Sequence, residues 1–494
     1  MARGNARTSA THPLQIASVA AGPGLGSVGL TFCPGKHQAN AATGTWARDL
    51  RTDVQAIAAW GASTIVTLVE DHELVDLKVS ALGPAFTAAH MEWRHLPIRD
   101  VSVPDAAFGA AWQRVGPDLR DQLRAGFNIL VHCKGGLGRA GMIAALLLVD
   151  LGWSPNAALA AVREVRPGAV ETSAQARYVL GLTAVDEASA ATDPYAIRDR
   201  SRGALLGLSV GDAIGTTLEF SRRDTKPPVT DMVGGGPFGL KPGEWTDDTA
   251  MALALADSLA ENAALNEADL MQRFVRWWRA GEYSCTGRCF DIGITTREAL
   301  ARFEQDGDPI AGSTDPNSAG NGSLMRLAPV AIRHWRDRKR MGSIAARQSR
   351  TTHGAAEAVD ACVGYAGVLA DAITGAPKTD VLLRSKAAGS PVIADILAGS
   401  WKGKRRDHIK SSGYVAHSLE AALWCVARTS SFRSAVLLAA NLGDDADTVA
   451  AITGQLAGAL YGADGIPAAW LEQLAWRDRL QAAAEALTDE GAAA

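Results

Sequence analysis

The sequence predicts a multidomain protein in which an α/β domain is followed by an all-α one. Three observations predict it. The chain has 494 residues, more than one ordinary core organises, so two or three domains are expected. Its first third holds compact β-branched runs and a strand, glycine loop and helix in succession around Cys133. After a small, polar stretch closed by proline, the rest is rich in alanine and leucine at helical spacing and lacks alternating β-branched runs. The expected boundaries are 1–185 for the first domain, 186–196 for a linker and 197–494 for the second.

Composition narrows the function classes. A hydrophobic content of 47% with 21% charged residues is that of a soluble globular protein. The net charge of −4 argues against a basic surface, so there is no specific nucleic-acid-binding signal. No apolar run is long enough to cross a bilayer; 142–149 runs at once into Asp150. Residues 1–21 are too polar for a signal peptide and read as a loose tail leading into a first strand. The six cysteines, at 33, 133, 285, 289, 362 and 425, are too few for a disulfide framework, and a reducing cytoplasmic location is expected. Cys285 and Cys289 lack a second ligand pair, so no zinc site is expected.

In the first domain, 64–69 (T-I-V-T-L-V), 94–98 and 127–131 read as strands. The last runs into H-C-K-G-G-L-G-R and then an apolar helix at 140–151. This order aims backbone N–H groups and a helix N-terminus at one point, an anion cradle formed by Lys134, Gly135, Gly136 and Gly138. Such a field favours the thiolate of Cys133. Arg139 is placed to curl back and grip a phosphate through two oxygens.

In the second domain two short acidic turns stand out: W-T-D-D-T at 245–249 and G-D-D-A-D-T at 443–448. A hard divalent cation takes about six oxygen ligands, and one such turn supplies about half. Converging, the two could hold one or two ions; apart, they are ordinary N-caps. Met251, Leu255 and Leu259 form a stripe on the helix that the first turn opens, and 355–370, 417–427 and 447–461 repeat the pattern. Ten or more helices are expected. Glycine-rich loops lie between them, at 203–220, 234–243 and 320–326, followed by Thr352-His353-Gly354 and Gly413-Tyr414.

The H-C-x5-R arrangement, with L-P-I-R-D upstream and F-C-P-G near the start, resembles the dual-specificity phosphatases. The wording H-C-x-G-G-L-G-R is most similar to the kinase-associated (cyclin-dependent kinase inhibitor 3) phosphatases, over about residues 25–180. The resemblance implies an α/β cysteine-phosphatase fold with Cys133 as nucleophile, Arg139 on the phosphoryl group and Asp100 as general acid. Asp105, in V-P-D, is a second candidate for the acid. Ala140 stands where that family usually has a serine or threonine whose hydroxyl helps the thiolate leave. A slow second step follows from it, and a phosphate-binding module without turnover is the competing expectation.

The ordered set G-D-A-x-G…E-F, P-G-x-W-T-D-D-T, F-D-I-G, G-N-G-S-L-M-R, T-H-G, G-Y-V and G-D-D-A-D-T resembles the ADP-ribosyl-glycohydrolase family over about residues 198–480. It implies the all-α ADP-ribosyl-glycohydrolase fold and a cluster of two Mg²⁺ ions, with Mn²⁺ as the alternative, on Thr246, Asp247, Asp248, Asp445, Asp447 and Thr448. By the same resemblance Glu219 contacts substrate or does acid–base work. Gly234, Gly235 and Gly236 cradle a pyrophosphate, Ser318 and Asn321 border the distal ribose, and His353 and Tyr414 contact the rest of the ADP-ribose. Asp444 and Ala446 replace the glycine and threonine common in the second acidic motif. Ser318 stands where some arginine-specific members carry an acid, which leaves the acceptor atom open. The expected partner is an ADP-ribosylated or phosphorylated substrate, and the expected activity is that of a bifunctional hydrolase.

Overall fold

The computed structural model describes residues 6–41, 43–186, 193–383 and 389–489. The chain divides into two compact units, Met1–Ala188 and Ser189–Ala494. Of the expected linker 186–196, residues 187–192 lie outside the described residues, and 194–196 already belong to a helix that Asp193 caps. Asp193 accepts the Ala196 amide at 3.1 Å and Pro194 opens the helix, where its missing N–H leaves no bond unmade.

The first unit contains strands β1 (Ala17–Ala20), β2 (Ser27–Phe32), β3 (His37–Ala41), β4 (Gly44–Ala47), β5 (Ala62–Thr67), β6 (Glu92–His95) and β7 (Asn128–Cys133). Five form one sheet in the order β1-β2-β7-β5-β6, and β3 and β4 pair separately. Only β1 is antiparallel to its neighbour in the main sheet. All six residues of β5 are buried, because helices cover both faces. Ile65 and Val66, adjacent in β5, point into opposite cores. The three expected strands correspond to β5, β6 and β7, and the expected helix to Gly138–Asp150, buried along its whole length.

One expectation fails here. Residues 6–16 are not a loose tail, although 1–5 lie outside the described residues. The Arg7 amide donates to Thr45 O at 2.9 Å and its carbonyl accepts from Ala47 N at 3.0 Å. The Ser9 hydroxyl donates to Asp53 at 2.9 Å. Main-chain pairing with β4 leaves no mark on composition, and the Ser9 hydroxyl that makes the segment look polar is an anchor.

The second unit has fourteen α-helices and no strand among the described residues. Its axis is a pair of antiparallel helices, Pro194–Gly215 and Ala446–Tyr461. Gly203, Gly207, Gly211 and Gly215 fall every four residues on one face of the first. A Cβ at these positions would lie 2.2, 2.3, 2.1 and 2.4 Å from the carbonyl oxygens of Gly458, Gly454, Ala450 and Ala446. The two backbones therefore touch, which only glycine permits. The contact sets the end of one helix against the start of the other. The expected stripe Met251, Leu255 and Leu259 is buried, but so is nearly every residue of helix Asp247–Glu261, a helix enclosed on all sides. None of the described helices is long and apolar enough to cross a membrane.

Candidate active sites

In the first unit Cys133 ends β7 and its Sγ accepts the Gly136 amide at 3.2 Å. Gly136 has φ +72°, and a Cβ there would meet the Thr31–Phe32 backbone at 2.4 Å, so the loop can turn only on glycine. Arg166 donates to the Gly135 and Gly136 carbonyls at 3.4 and 3.2 Å, and Lys36 to the Lys134 carbonyl at 3.0 Å. With carbonyls held outward, the amides of the loop turn inward to an anion.

Arg139, 2% exposed, is held by a residue that sequence reading missed. Glu73 takes its two terminal nitrogens at 2.6 and 3.0 Å, and the Ile98 carbonyl accepts at 2.9 Å. Burial pushes the Glu73 carboxyl up, but hydrogen bonds from Arg139 and the Glu70 amide outweigh it and hold it below the usual range. Nothing in the spacing marks Glu73, which lies 66 residues before its partner. Asp100, half exposed, meets Arg139 at 2.9 Å and so stands at the mouth of the loop. Asp105 instead caps helix Ala106–Arg124, accepting the Phe108 amide at 2.8 Å; that carboxylate is committed to the helix. Ala140 is fully buried behind the loop.

In the second unit the two acidic turns converge. Asp212, near the end of helix Pro194–Gly215, accepts the Thr246 amide and hydroxyl, each at 2.9 Å, on one oxygen. Its other oxygen accepts the Thr249 amide at 3.0 Å and hydroxyl at 2.7 Å. Asp212 thus caps helix Asp247–Glu261 from a different helix, since Thr246 makes no cap bond of its own. The G-D-A motif marks Asp212 in the sequence, but a cap across helices leaves no local trace.

Oxygens of Asp212, Asp248 and Asp447 lie within 4.8 Å of one another, and so do those of Glu219, Asp445 and Asp447. The two triads share Asp447. The Thr246 hydroxyl is 3.1 Å from Asp248 and 3.4 Å from Asp447. Asp447 accepts the Thr448 amide at 2.7 Å, and Glu219 accepts the Asp447 amide at 3.2 Å. Asp248 Oδ1 is buried and has no hydrogen-bond donor among the described residues, an arrangement that costs free energy unless a cation completes it.

The electrostatics agree. Burial, then the charge of Asp447, pushes Asp212 and Asp445 up to about 7. Asp247 and Asp248 are raised well above the carboxylate range, and Glu219 is raised as well, burial again first. Asp291, in F-D-I-G, joins the cluster: burial and then the charges of Asp247 and Asp447 push it up to about 10. Nothing in the spacing of F-D-I-G marks that role. A set of buried oxygen donors with one orphaned oxygen fits a hard divalent cation.

The remaining expected residues are placed less evenly. Asn321 reaches the cluster, donating to Asp445 at 2.6 Å and to the Ser418 hydroxyl at 2.8 Å. Gly234, Gly235 and Gly236 all have positive φ, and Gly236 packs against Thr216 O. The Gly235 amide is already used on Leu240 O. Ser318 donates to Asp315 O at 2.7 Å, within its own turn. His353 is buried beneath Gly320 and Gly322 and bonds Thr352; burial lowers it to about 3. It supports the loop from behind. Tyr414 donates to Glu357 at 2.6 Å, and Gly320 pairs with it across an isolated bridge. Phe220, Phe238 and Phe290 make an aromatic row beside Glu219 and Asp291, with ring centroids 6.3 and 5.2 Å apart.

Comparison with known proteins agrees with both halves. Residues 193–494 match the family model for ADP-ribosylglycohydrolase. Residues 44–179 match that of the Swiss Army Knife protein, DSP-PTPase phosphatase domain. ADP-ribosylarginine hydrolase Tri1 of Pseudomonas putida (strain GB-1) is 51% identical over 298 residues, covering 60% of this chain and 80% of that protein. Cyclin-dependent kinase inhibitor 3 of Rattus norvegicus is 30% identical over 135 residues, covering 27% of this chain and 62% of that protein. A solved structure titled "ADP-ribosylglycohydrolase-related protein complex" is 41% identical with a TM-score of 0.54, covering 60% of this chain and 99% of the other. With a phosphatase-type domain at 44–179 and the helical domain over the rest, the chain belongs to the ADP-ribosylglycohydrolase family.

Proposed function

We propose that the second unit removes ADP-ribose from an arginine side chain in a reaction that depends on two divalent cations, Mg²⁺ or Mn²⁺. The carrying observation is Asp447 shared between two carboxylate triads, with Asp248 Oδ1 left unpaired beside it. The arginine acceptor is favoured by the likeness to ADP-ribosylarginine hydrolase Tri1. Thr246, Asp247, Asp248, Asp445, Asp447 and Thr448 would hold the ions. When bound, they supply Lewis acidity to the vicinal ribose hydroxyls and to a water. Asp212 is a positioning residue, because each of its oxygens already accepts two donors. Asn321 fixes Asp445, and Glu219, whose carboxylate accepts the Asp447 amide, is the acid that gives its proton to the departing guanidine nitrogen as the C–N glycosidic bond breaks. Water adds to the ribose carbon and its proton returns to the Glu219 carboxylate, leaving free ADP-ribose and restored arginine. Gly234–236, Ser318, His353 and Tyr414 shape the remainder of the ADP-ribose site, His353 from beneath its loop.

The first unit, on the same proposal, hydrolyses a phosphomonoester. The Cys133 thiolate attacks phosphorus, Asp100 protonates the leaving oxygen, and Arg139 with the amides of 134–138 holds the other oxygens. Water then cleaves the phosphocysteine. Buried Ala140 offers that step no hydroxyl, which favours a second reading of slow turnover or phosphate binding alone. The test is incubation of the full chain with arginine- and serine-linked ADP-ribose, with and without chelator, beside para-nitrophenyl phosphate hydrolysis by wild type and Cys133→Ser. Chelator-sensitive release from arginine, and a Cys133-dependent burst with slow turnover, are expected. Release unaffected by chelator, or phosphatase activity retained by Cys133→Ser, would refute the respective half.

A further inference from the structure

Beside the Cys133 loop, and sharing its Lys134 and Gly135, the first unit has a cavity of about 690 Å³ lined also by Arg7, Lys36, Trp46 and Arg166. That is the size of a small-molecule site. Three cations gather on the Trp46 ring: Lys36 at 4.8 Å, Arg7 at 5.3 Å and Arg48 at 5.7 Å from its centroid. Arg48 is matched by Asp53, at 2.7 Å from two of its nitrogens. Arg7 and Lys36 form no ion pair with a carboxylate among the described residues.

Lys36 is the more telling of the two. Its residue is 4% exposed, and its ammonium bonds the Lys134 carbonyl at 3.0 Å while lying over Phe32 and Trp46. A buried ammonium with ring faces and one carbonyl for company is incompletely solvated. Burial lowers it to about 8. It lines the cavity together with Lys134, Gly135 and Leu137 of the loop and lies within reach of a charge on Cys133, yet it holds the loop by a carbonyl and is not part of the cradle of amides. The acids lining the same cavity are Asp100, which pairs with Arg139, and Glu171.

We propose that Lys36 and Arg7 form a second anion subsite, so that the cavity takes a small phosphomonoester carrying a second phosphate rather than a phosphoprotein segment. The inference rests on the phosphatase reading of Cys133. One phosphate sits on the loop of Cys133 and the other lies against Lys36 and Arg7, with the linking carbon skeleton along the cavity wall. A phosphopeptide would fill the loop with one dianion and leave the two cations unmatched.

The experiment uses the full chain as Cys133→Ser, with binding read by calorimetry at fixed salt. The probes are inorganic phosphate, fructose 6-phosphate, fructose 1,6-bisphosphate, 3-phosphoglycerate, 2,3-bisphosphoglycerate and a phosphotyrosine peptide. Sugars and glycerates avoid adenine, which the second unit could bind. At least one bisphosphate is expected to bind about tenfold or more tightly than its monophosphate, as a charge-assisted contact provides. Lys36→Gln and Arg7→Gln should each cut that ratio severalfold, while Lys36→Arg retains it. Melting curves accompany each variant; Arg7, only partly buried, keeps the test open should Lys36→Gln fail to fold. Bisphosphates binding no better than their monophosphates, a ratio unchanged in Arg7→Gln, or tightest binding by the peptide would each overturn the proposal while phosphate binding leaves the cradle intact. Absence of even inorganic phosphate binding would overturn the phosphatase reading and the subsite with it.

Discussion

One carboxylate oxygen of Asp212 accepts both the amide and the hydroxyl of Thr246, each at 2.9 Å. The bond pair ties helix Pro194–Gly215 to the acidic turn that opens helix Asp247–Glu261, and with it the position of Asp247 and Asp248. Asp212→Ala should leave two buried amides without acceptors. A stability loss of about 2–4 kcal/mol is expected, together with a 10–100-fold weaker grip on divalent cation. Urea unfolding and calorimetry would measure the two effects, and a variant with unaltered cation affinity would remove Asp212 from the positioning role.

The contact that brings Asp212 there is made by glycines. A Cβ on Gly211 would stand 2.1 Å from Ala450 O, and neither backbone has room to yield without moving the acidic turns. Gly211→Ala should cost about 1–3 kcal/mol or more. Gly109 lies in helix Ala106–Arg124 with nothing within 4 Å of an added Cβ. Gly109→Ala should be neutral or stabilising by up to about 1 kcal/mol. Thermal melts of the two variants side by side decide whether close approach, or merely loss of glycine, sets the cost.

Without cation, stability should fall as pH rises. Asp212 and Asp445 are raised from the ordinary 3.8 to about 7, so the folded chain keeps protons that the unfolded chain has already lost. A carboxyl raised in this way stabilises fully below about pH 4, and that contribution disappears as pH climbs through about 7. Chelated protein should therefore melt progressively lower across that window. Added Mg²⁺ should restore more at about pH 8 than at about pH 5, because it replaces protons that are then absent. Scanning calorimetry at several pH values checks this, and a melting point that rises with pH in chelator would contradict it.

Arg139 and Glu73, 2% and 3% exposed, form a buried bidentate pair. Glu73→Gln keeps the shape but removes the charge that aims the guanidinium. The expected result is a loss of about 3–5 kcal/mol in stability and a fall of about 100-fold in kcat/KM on para-nitrophenyl phosphate, as for a misplaced binding group. Steady-state kinetics with a melting curve would reveal whether activity falls further than folding explains.

The local parts of both sites are legible in the sequence for a physical reason. A strand, a glycine loop and a helix occupy consecutive residues around Cys133, and each acidic turn is a short run. The structure brings Thr246, Asp247 and Asp248 to Asp445, Asp447 and Thr448 across nearly 200 residues, with Asn321 beside them. Long-range partners that match no short pattern escape such a reading. Glu73 is an unremarkable acid in a short helix, and Asp291 acquires its neighbours only when three segments meet. Ser9 and Arg7 look like tail residues until Asp53 and the β4 backbone receive them. The stretch at 193–196 reads as linker by its polar composition, whereas Asp193 followed by proline is equally a helix start.

The most direct measurement follows release of ADP-ribose from ADP-ribosyl-arginine as Mg²⁺ is titrated into chelated full-length protein, for wild type and for Asp447→Asn. The shared position of Asp447 in both triads predicts saturable activation in wild type and a loss of about 1,000-fold or more in the variant, since both cation positions lose a ligand. Full activity of the wild type in chelator, or an Asp447→Asn enzyme as active as its parent, would contradict the account.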